Sequence, residues 1–240
     1  MSVTEDMHSL SDDRIEGVEK MTLRWMLQAT LDFGIEAYDV FLQSPDDPKE
    51  VAEDVVRELL DRIPGHNVPQ RIYGTVDYKK ARYIVLPEQM LRQALFVDAK
   101  AEKDSKSATL QMSQLSMQVR QYRKGAAVAE AGTLPPVSEY ENKQYLTTTA
   151  FVHFKYHDDS QGKHQLDEAT LFVVPNGKLQ ERYNPSADDT FFIAGRNAPT
   201  LGEDFRVRVS FAKLTQKATW RVQKVLYDGT GHNCAGAWLE

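Results

Sequence analysis

The chain is poor in cysteine. Cys234 is the only one in 240 residues, which excludes an internal disulfide and a four-cysteine zinc site. No apolar run approaches the roughly 18 residues needed to cross a bilayer. The segment Met1 to Arg14 is acidic and has no apolar stretch of the secretory type, so a cytoplasmic, reducing setting is expected. No glycine-rich phosphate loop follows an expected strand, which disfavours nucleotide-binding folds built on one. Internal repeats and low-complexity tracts are absent as well. What is present is ordinary for a globular protein with a real core: 41% hydrophobic and 27% charged residues. The length suits one large domain, with an N-terminal helical region over 1–45, a core over 48–156 and further strands and loops over 168–227.

A net charge of −6 at first argues against a polyanionic partner. Its distribution weakens that argument. Residues 1–60 hold fifteen acidic and five basic side chains, whereas residues 61–120 hold ten basic and six acidic ones. A polyanion responds to the field of the face it meets rather than to the total.

The apolar spacing predicts a long helix after Ser11, carried by Ile15, Val18, Met21, Trp25, Leu27, Leu31, Ile35, Tyr38 and Phe41, with Gly34 as a point of bending or interruption. A second helix follows, with Asp47 as N-cap, Pro48 at its first position and a stripe of Val51, Ala52, Val55, Val56, Leu59 and Leu60. Three short strands are expected at Arg71–Asp77, Ala81–Leu86 and Gln93–Lys100. The last contains the continuous apolar run Ala94-Leu95-Phe96-Val97 of a central strand. Thr109–Arg123 reads as a helix with Leu110, Gln114, Met117 and Gln121 along it, and Ala126–Asn142 as a loop. Further strands are expected at Thr148–Tyr156, Ala169–Val174, Phe205–Phe211 and Trp220–Tyr227, with a turn at Pro175–Lys178. The fold class is α/β, a mixed central sheet flanked by helices with additional C-terminal strands.

The chemistry concentrates at Asp98-Ala99-Lys100, where the buried run ends. Side chains two apart on a strand share a face, so a carboxylate and an ammonium stand together. Asp77 ends the first strand, and if the first and third strands are neighbours the two carboxylates converge. Converging carboxylates repel and call for a cation, and oxygen ligands favour Mg²⁺. A metal beside a lysine suits phosphodiester hydrolysis, the lysine steadying the attacking water and the charge on the phosphate. The plainer alternative is an Asp98–Lys100 salt bridge at a sheet edge. His153 and His157, four apart, read as structural rather than as a zinc pair.

Asp77 and Asp98-x-Lys100 in this order of elements resemble the PD-(D/E)xK nuclease core. More narrowly, the chain resembles the SfiI-type family of type II restriction endonucleases and, more distantly, BglI-type enzymes. The matching segments include Val18-Glu19-Lys20, Ala52-Glu53-Asp54, Asp77-Tyr78-Lys79, Val97-Asp98-Ala99-Lys100-Ala101, Phe151-Val152-His153-Phe154, Arg182-Tyr183-Asn184-Pro185 and Arg206-Val207-Arg208-Val209. The resemblance implies a restriction-endonuclease-like core and a prokaryotic, Mg²⁺-dependent enzyme. It implies cutting of double-stranded DNA in a GC-rich interrupted palindrome, with short 3′ overhangs left behind. By the same resemblance Asp77 and Asp98 are metal ligands, Lys100 is the catalytic lysine, and Glu53 stands where some members place a further acidic residue. Arg196, Asn197, Arg206 and Arg208 fall in the base-reading loop and strand, where arginine suits guanine. Lys79, Lys80 and Lys103 flank the strand ends as phosphate contacts. A palindromic target calls for a homodimer at least, and a homotetramer stays open because Asp228–Glu240 shows no match to the family pattern. Two further readings remain: a repair or junction nuclease on the same core, and a non-catalytic DNA-binding protein.

Overall fold

The protein was analysed as a computed structural model, which describes residues 6–62, 71–76, 79–86, 91–103, 106–195 and 207–240, with 71–76 and 79–80 followed as backbone only. Helix α1 (Asp12–Asp32) starts where expected, the Ser11 hydroxyl accepting from the Arg14 amide at 3.3 Å. Helix α2 (Gly34–Gln43) follows after a one-residue break at Phe33. Gly34 is at the break because of space: a Cβ there would run into Cys234 Sγ. Helix α3 (Pro48–Arg62) opens on Asp47, whose Oδ1 accepts from the Lys49 amide at 2.9 Å, and its expected apolar stripe is buried throughout.

The strands are β1 (Arg71–Val76), β2 (Lys79–Leu86), β3 (Leu91–Lys103), β4 (Ser107–Leu110), β5 (Val119–Arg123), β6 (Ala126–Glu130), β7 (Val137–Tyr140), β8 (Lys143–Asp158) and β9 (His164–Val174). Then come α4 (Gln180–Tyr183), β10 (Phe192–Ala194), β11 (Val207–Ser210), α5 (Phe211–Lys217), β12 (Val222–Tyr227) and β13 (Cys234–Ala235). Among the described residues the main sheet runs β1-β2-β3-β8-β9-β12-β13, with β7 also on β8. The pairing of β3 with β8 is parallel and the other pairings are antiparallel, so the sheet is mixed, as anticipated. A small sheet β10-β11-β4 and a hairpin β5-β6 stand beside it.

Helices α1 to α3 cover one face of the main sheet. Gln93 of β3 donates to Thr22 of α1 at 2.8 Å, and Phe41 of α2 meets Phe154 of β8 at 5.2 Å. Helix α5 lies on the opposite face, where Phe211 meets Phe172 at 5.2 Å.

Three expectations fail. The helix over Thr109–Arg123 does not form. Its first residues pair with β11 as β4, Met112–Gln114 make one 3-10 turn, and Val119–Arg123 pairs with β6. Leu110, Gln114, Met117 and Gln121 are buried all the same, because two short strands joined by a turn bring the same positions inward as a helix would. The loop over Ala126–Asn142 contains β6 and β7. The β6 strand is small and largely exposed, so it lacks the alternation that marks a strand. Finally, Phe211 begins α5 rather than ending a strand, and the Ser210 hydroxyl caps that helix.

The two ends of the chain meet in the core. Glu19 of α1 and Arg221, just before β12, are both fully buried and 2.8 Å apart. The Arg221 guanidinium lies 4.1 Å from the Tyr183 ring and 4.3 Å from that of Trp220, and Glu19 also accepts from the Asn176 amide at 2.7 Å. Burial pushes the Glu19 carboxyl above its ordinary range, against the pull of Arg221. Removing one member strands the other charge. Arg221→Met is therefore expected to cost about 3–5 kcal/mol in urea unfolding. An unchanged midpoint and slope would show the pair to be dispensable.

Candidate active site

The two faces of β3 carry different chemistry. Leu91, Leu95, Ala99 and Ala101 join the core beneath the helices. On the other face, Ala94 and Phe96 join a second apolar cluster with Ala81, Tyr83, Leu134 and Tyr145. Asp98, Lys100 and Glu102 then follow on that same face. Asp98 and Lys100 form an ion pair, their side chains 23% and 22% exposed, which leaves them open to solvent on one side only. The pair sits on a strand that β8 flanks along its length, past Leu95 where the pairing with β2 ends.

The parallel register places Phe151 beside Asp98 and His153 beside Lys100. Phe151 stacks on Phe172 with ring centres 4.9 Å apart and planes at 9°. His153 is buried and meets Phe211 edge-on at 5.5 Å. The charged pair thus stands on an aromatic floor, where charges are screened less than in water. Arg208 of β11 reaches in from the small sheet. Its Nη2 lies 2.7 Å from Glu102 Oε2 and 3.1 Å from the Ser107 carbonyl oxygen.

Of the residues singled out from the sequence, Asp98, Lys100 and Arg208 are drawn to one end of β3. Asp77, Arg196, Asn197 and Arg206 lie outside the described residues, and Lys79 and Lys80 are followed only as backbone of β2. Glu53 is exposed on α3. Lys103 Nζ meets Asp158 Oδ2 at 2.5 Å and lies 5.8 Å from the Tyr156 ring centre. His153 and His157 do not act together: His157 pairs with Asp167 at 2.8 Å, and the β8–β9 register slips between Lys155 and Tyr156. The condition set for the convergence of Asp77 and Asp98 is not met. The first and third strands are not neighbours, because β2 runs between them.

No group of three or more His, Cys, Asp or Glu able to hold a metal occurs among the described residues. One feature fits a hard cation. Asp98 Oδ2 is buried as an atom and, its ion pair with Lys100 apart, accepts no hydrogen bond among the described residues. The residue that sequence reasoning passed over is Glu102. Its signal was the continued alternation 98, 100, 102, but its partner Arg208 is 106 positions away.

A mixed sheet with Asp-x-Lys on an interior strand and helices on both faces is the architecture of the restriction endonucleases. Solved structures agree. The tetrameric restriction endonuclease SfiI bound to cognate DNA superposes with a TM-score of 0.82 at 30% identity, over 98% of each chain. BglI bound to its DNA recognition sequence superposes with a TM-score of 0.72 over 90% of this chain and 91% of that one, a likeness of fold at 17% identity. In sequence, the type II restriction enzyme SfiI of Streptomyces fimbriatus is 36% identical over 98% of this chain and 93% of its own length. The pattern described as type II restriction enzyme SfiI matches residues 19–225.

The chain belongs to the SfiI family of type II restriction enzymes and is a site-specific endonuclease. That sets aside the junction-nuclease and non-catalytic readings. The 98% coverage leaves fewer unmatched residues than Asp228–Glu240 contains, so the C-terminal stretch is not foreign to the family either. In the fold it is docked: Glu240 pairs with Lys20 and Arg24, and the Leu239 amide donates to Gln223.

The floor of the site yields a prediction. Phe151 is fully buried, so Phe151→Ala is expected to cost about 3–5 kcal/mol in urea unfolding. A loss below about 1 kcal/mol would mean that the floor collapses to fill the space.

Proposed function

We propose that this enzyme hydrolyses both strands of duplex DNA at a GC-rich interrupted palindrome, with Mg²⁺ as cofactor, and leaves short 3′ overhangs. The observation that carries the proposal is Asp98 and Lys100 paired on the half-exposed face of an interior strand, in a chain that matches SfiI along its length. Asp98 and Asp77 are the proposed metal ligands and Lys100 the catalytic lysine. Glu53 stands as a further acidic position, and its exposure on α3 makes it the weaker member of the set. Held by these carboxylates, a divalent ion would supply polarisation of the phosphate and acidification of water. The protein's own groups do the rest. Asp98 supplies a buried carboxylate oxygen whose one partner among the described residues is the Lys100 ammonium. Lys100, paired with Asp98 before DNA arrives, turns to the scissile phosphate once Asp98 is engaged elsewhere, and its ammonium opposes the negative charge that builds there. The aromatic floor of Phe151 and Phe172 keeps water from screening that interaction.

The segment around Arg196, Asn197 and Arg206 is the proposed base reader, suited to the O6 and N7 of guanine. Arg208 stands at its root, and contact with DNA would require it to leave Glu102. Lys79, Lys80 and Lys103 are proposed phosphate contacts. The division of labour follows the chain: helical support over 1–45, catalysis over 48–156 and recognition over 168–227. A palindromic target requires a two-fold assembly, and the tetramer recorded for SfiI makes a dimer of dimers the natural arrangement in a prokaryotic cytoplasm.

Digestion of a fully sequenced phage genome is expected to give discrete fragments with Mg²⁺ and none with EDTA, and end sequencing reads out the site and overhang. Asp98→Ala and Lys100→Ala are each expected to lower cutting by about 10³-fold, with melting temperatures close to that of the parent. Undiminished cutting by Asp98→Ala refutes the assignment. Size-exclusion chromatography with light scattering is expected to show a dimer or tetramer; a monomer that still cuts both strands at one site refutes the assembly.

A further inference from the structure

The catalytic strand and the strand that follows the base-reading segment are joined at one carboxylate. Glu102 lies on the same face of β3 as Asp98 and Lys100 and takes Arg208 at 2.7 Å. Arg208 belongs to β11, which pairs on one side with β10 through Ile193 and on the other with β4 through Thr109. Movement of β11 therefore reaches the end of β3 through this ion pair.

A second partner for Glu102 stands nearby. His153 Nε2 is 3.9 Å from the same Oε2, beyond hydrogen-bond range, and has no hydrogen-bond partner among the described residues although the side chain is 1% exposed. A polar atom buried without a partner is unusual and costly. A shift of about 1 Å by the carboxylate would satisfy it, with the ring proton on Nε2. His153 is also the β8 residue directly beside Lys100.

We propose that Glu102 is a positioning residue with two alternative partners. Arg208 holds it in the free enzyme, and His153 takes it over when Arg208 and its strand β11 are drawn onto DNA. Recognition is thereby made known to the centre at Asp98 and Lys100. The inference rests on the reading of Asp98 and Lys100 as the active centre and of that segment as the base reader. Such an exchange is a two-state element, and DNA shifts it only by binding one state better than the other.

The test uses the full-length enzyme and short duplexes carrying the site found by end sequencing, or that site with one base pair changed. Glu102→Gln keeps the shape and removes the charge; His153→Phe removes the second partner. Each is expected to slow single-turnover cutting of the correct site by about 10-fold and to slow the altered sites less, so that discrimination falls. Affinity for the correct duplex, measured with Ca²⁺ in place of Mg²⁺, is expected to stay within about 3-fold. The double variant is expected to be no worse than the single ones, because both break the same exchange. Discrimination equal to the parent's, additive losses, or a fall in melting temperature as the only change would each overturn the proposal, and so would failure of both variants to fold. Asp98→Ala run alongside separates the two readings. If it cuts, the active centre is misplaced and the proposal falls with it; if it is inert while Glu102→Gln discriminates normally, only the coupling is wrong.

Discussion

The parallel pairing of β3 with β8, from Gln93 opposite Leu146 to Lys103 opposite Tyr156, is the constraint on which the rest of the molecule depends. It holds β3 in the interior of the sheet and decides what lies on each of its faces. Successive side chains of a strand point to opposite faces, so a slip of one residue would drive Asp98 and Lys100 under the helices and lift Ala99 and Ala101 into solvent. Burying that charged pair among apolar side chains would be prohibitive. The register is thus enforced by the same residues to which the catalytic role is proposed.

Around that strand the chain brings together segments remote from one another. Helix α1 is fastened to the start of β12 by Glu19 and Arg221, and to the C-terminal residues by the Glu240 carboxylate, which Lys20 and the Trp238 ring nitrogen pull down to about 2. These contacts are far from Asp98, yet they hold the helical layer against the sheet and so support the face from which β3 is packed. On the opposite face α5 and the small sheet β10-β11-β4 close over His153 and Glu102. Support comes from one side of the sheet, and α5 and the small sheet approach from the other.

Local rules were legible wherever one element buried one face. The Ser11 and Asp47 caps, the α3 stripe and the apolar run in β3 each follow from side chains within a few residues of one another. Legibility failed between Thr109 and Asn142. There the elements are short, and the stripe of Leu110, Gln114, Met117 and Gln121 is buried equally well by a helix or by two strands and a turn. The neighbour order was left open by the sequence, and the structure puts β2 between β1 and β3, as the tendency of consecutive strands to form a meander favours.

By itself the sequence determined that Asp98, Lys100 and Glu102 share a face, since alternation along a strand needs no knowledge of the fold, and it determined the family through motifs spread along the chain. Only the tertiary structure decided that the strand is an interior one, that aromatic rings line the neighbouring strand, and that Glu102 is held by Arg208 with His153 Nε2 at 3.9 Å. The reason is range. Which way a side chain points is settled by its nearest backbone, whereas which groups meet across 106 positions depends on how every layer packs at once.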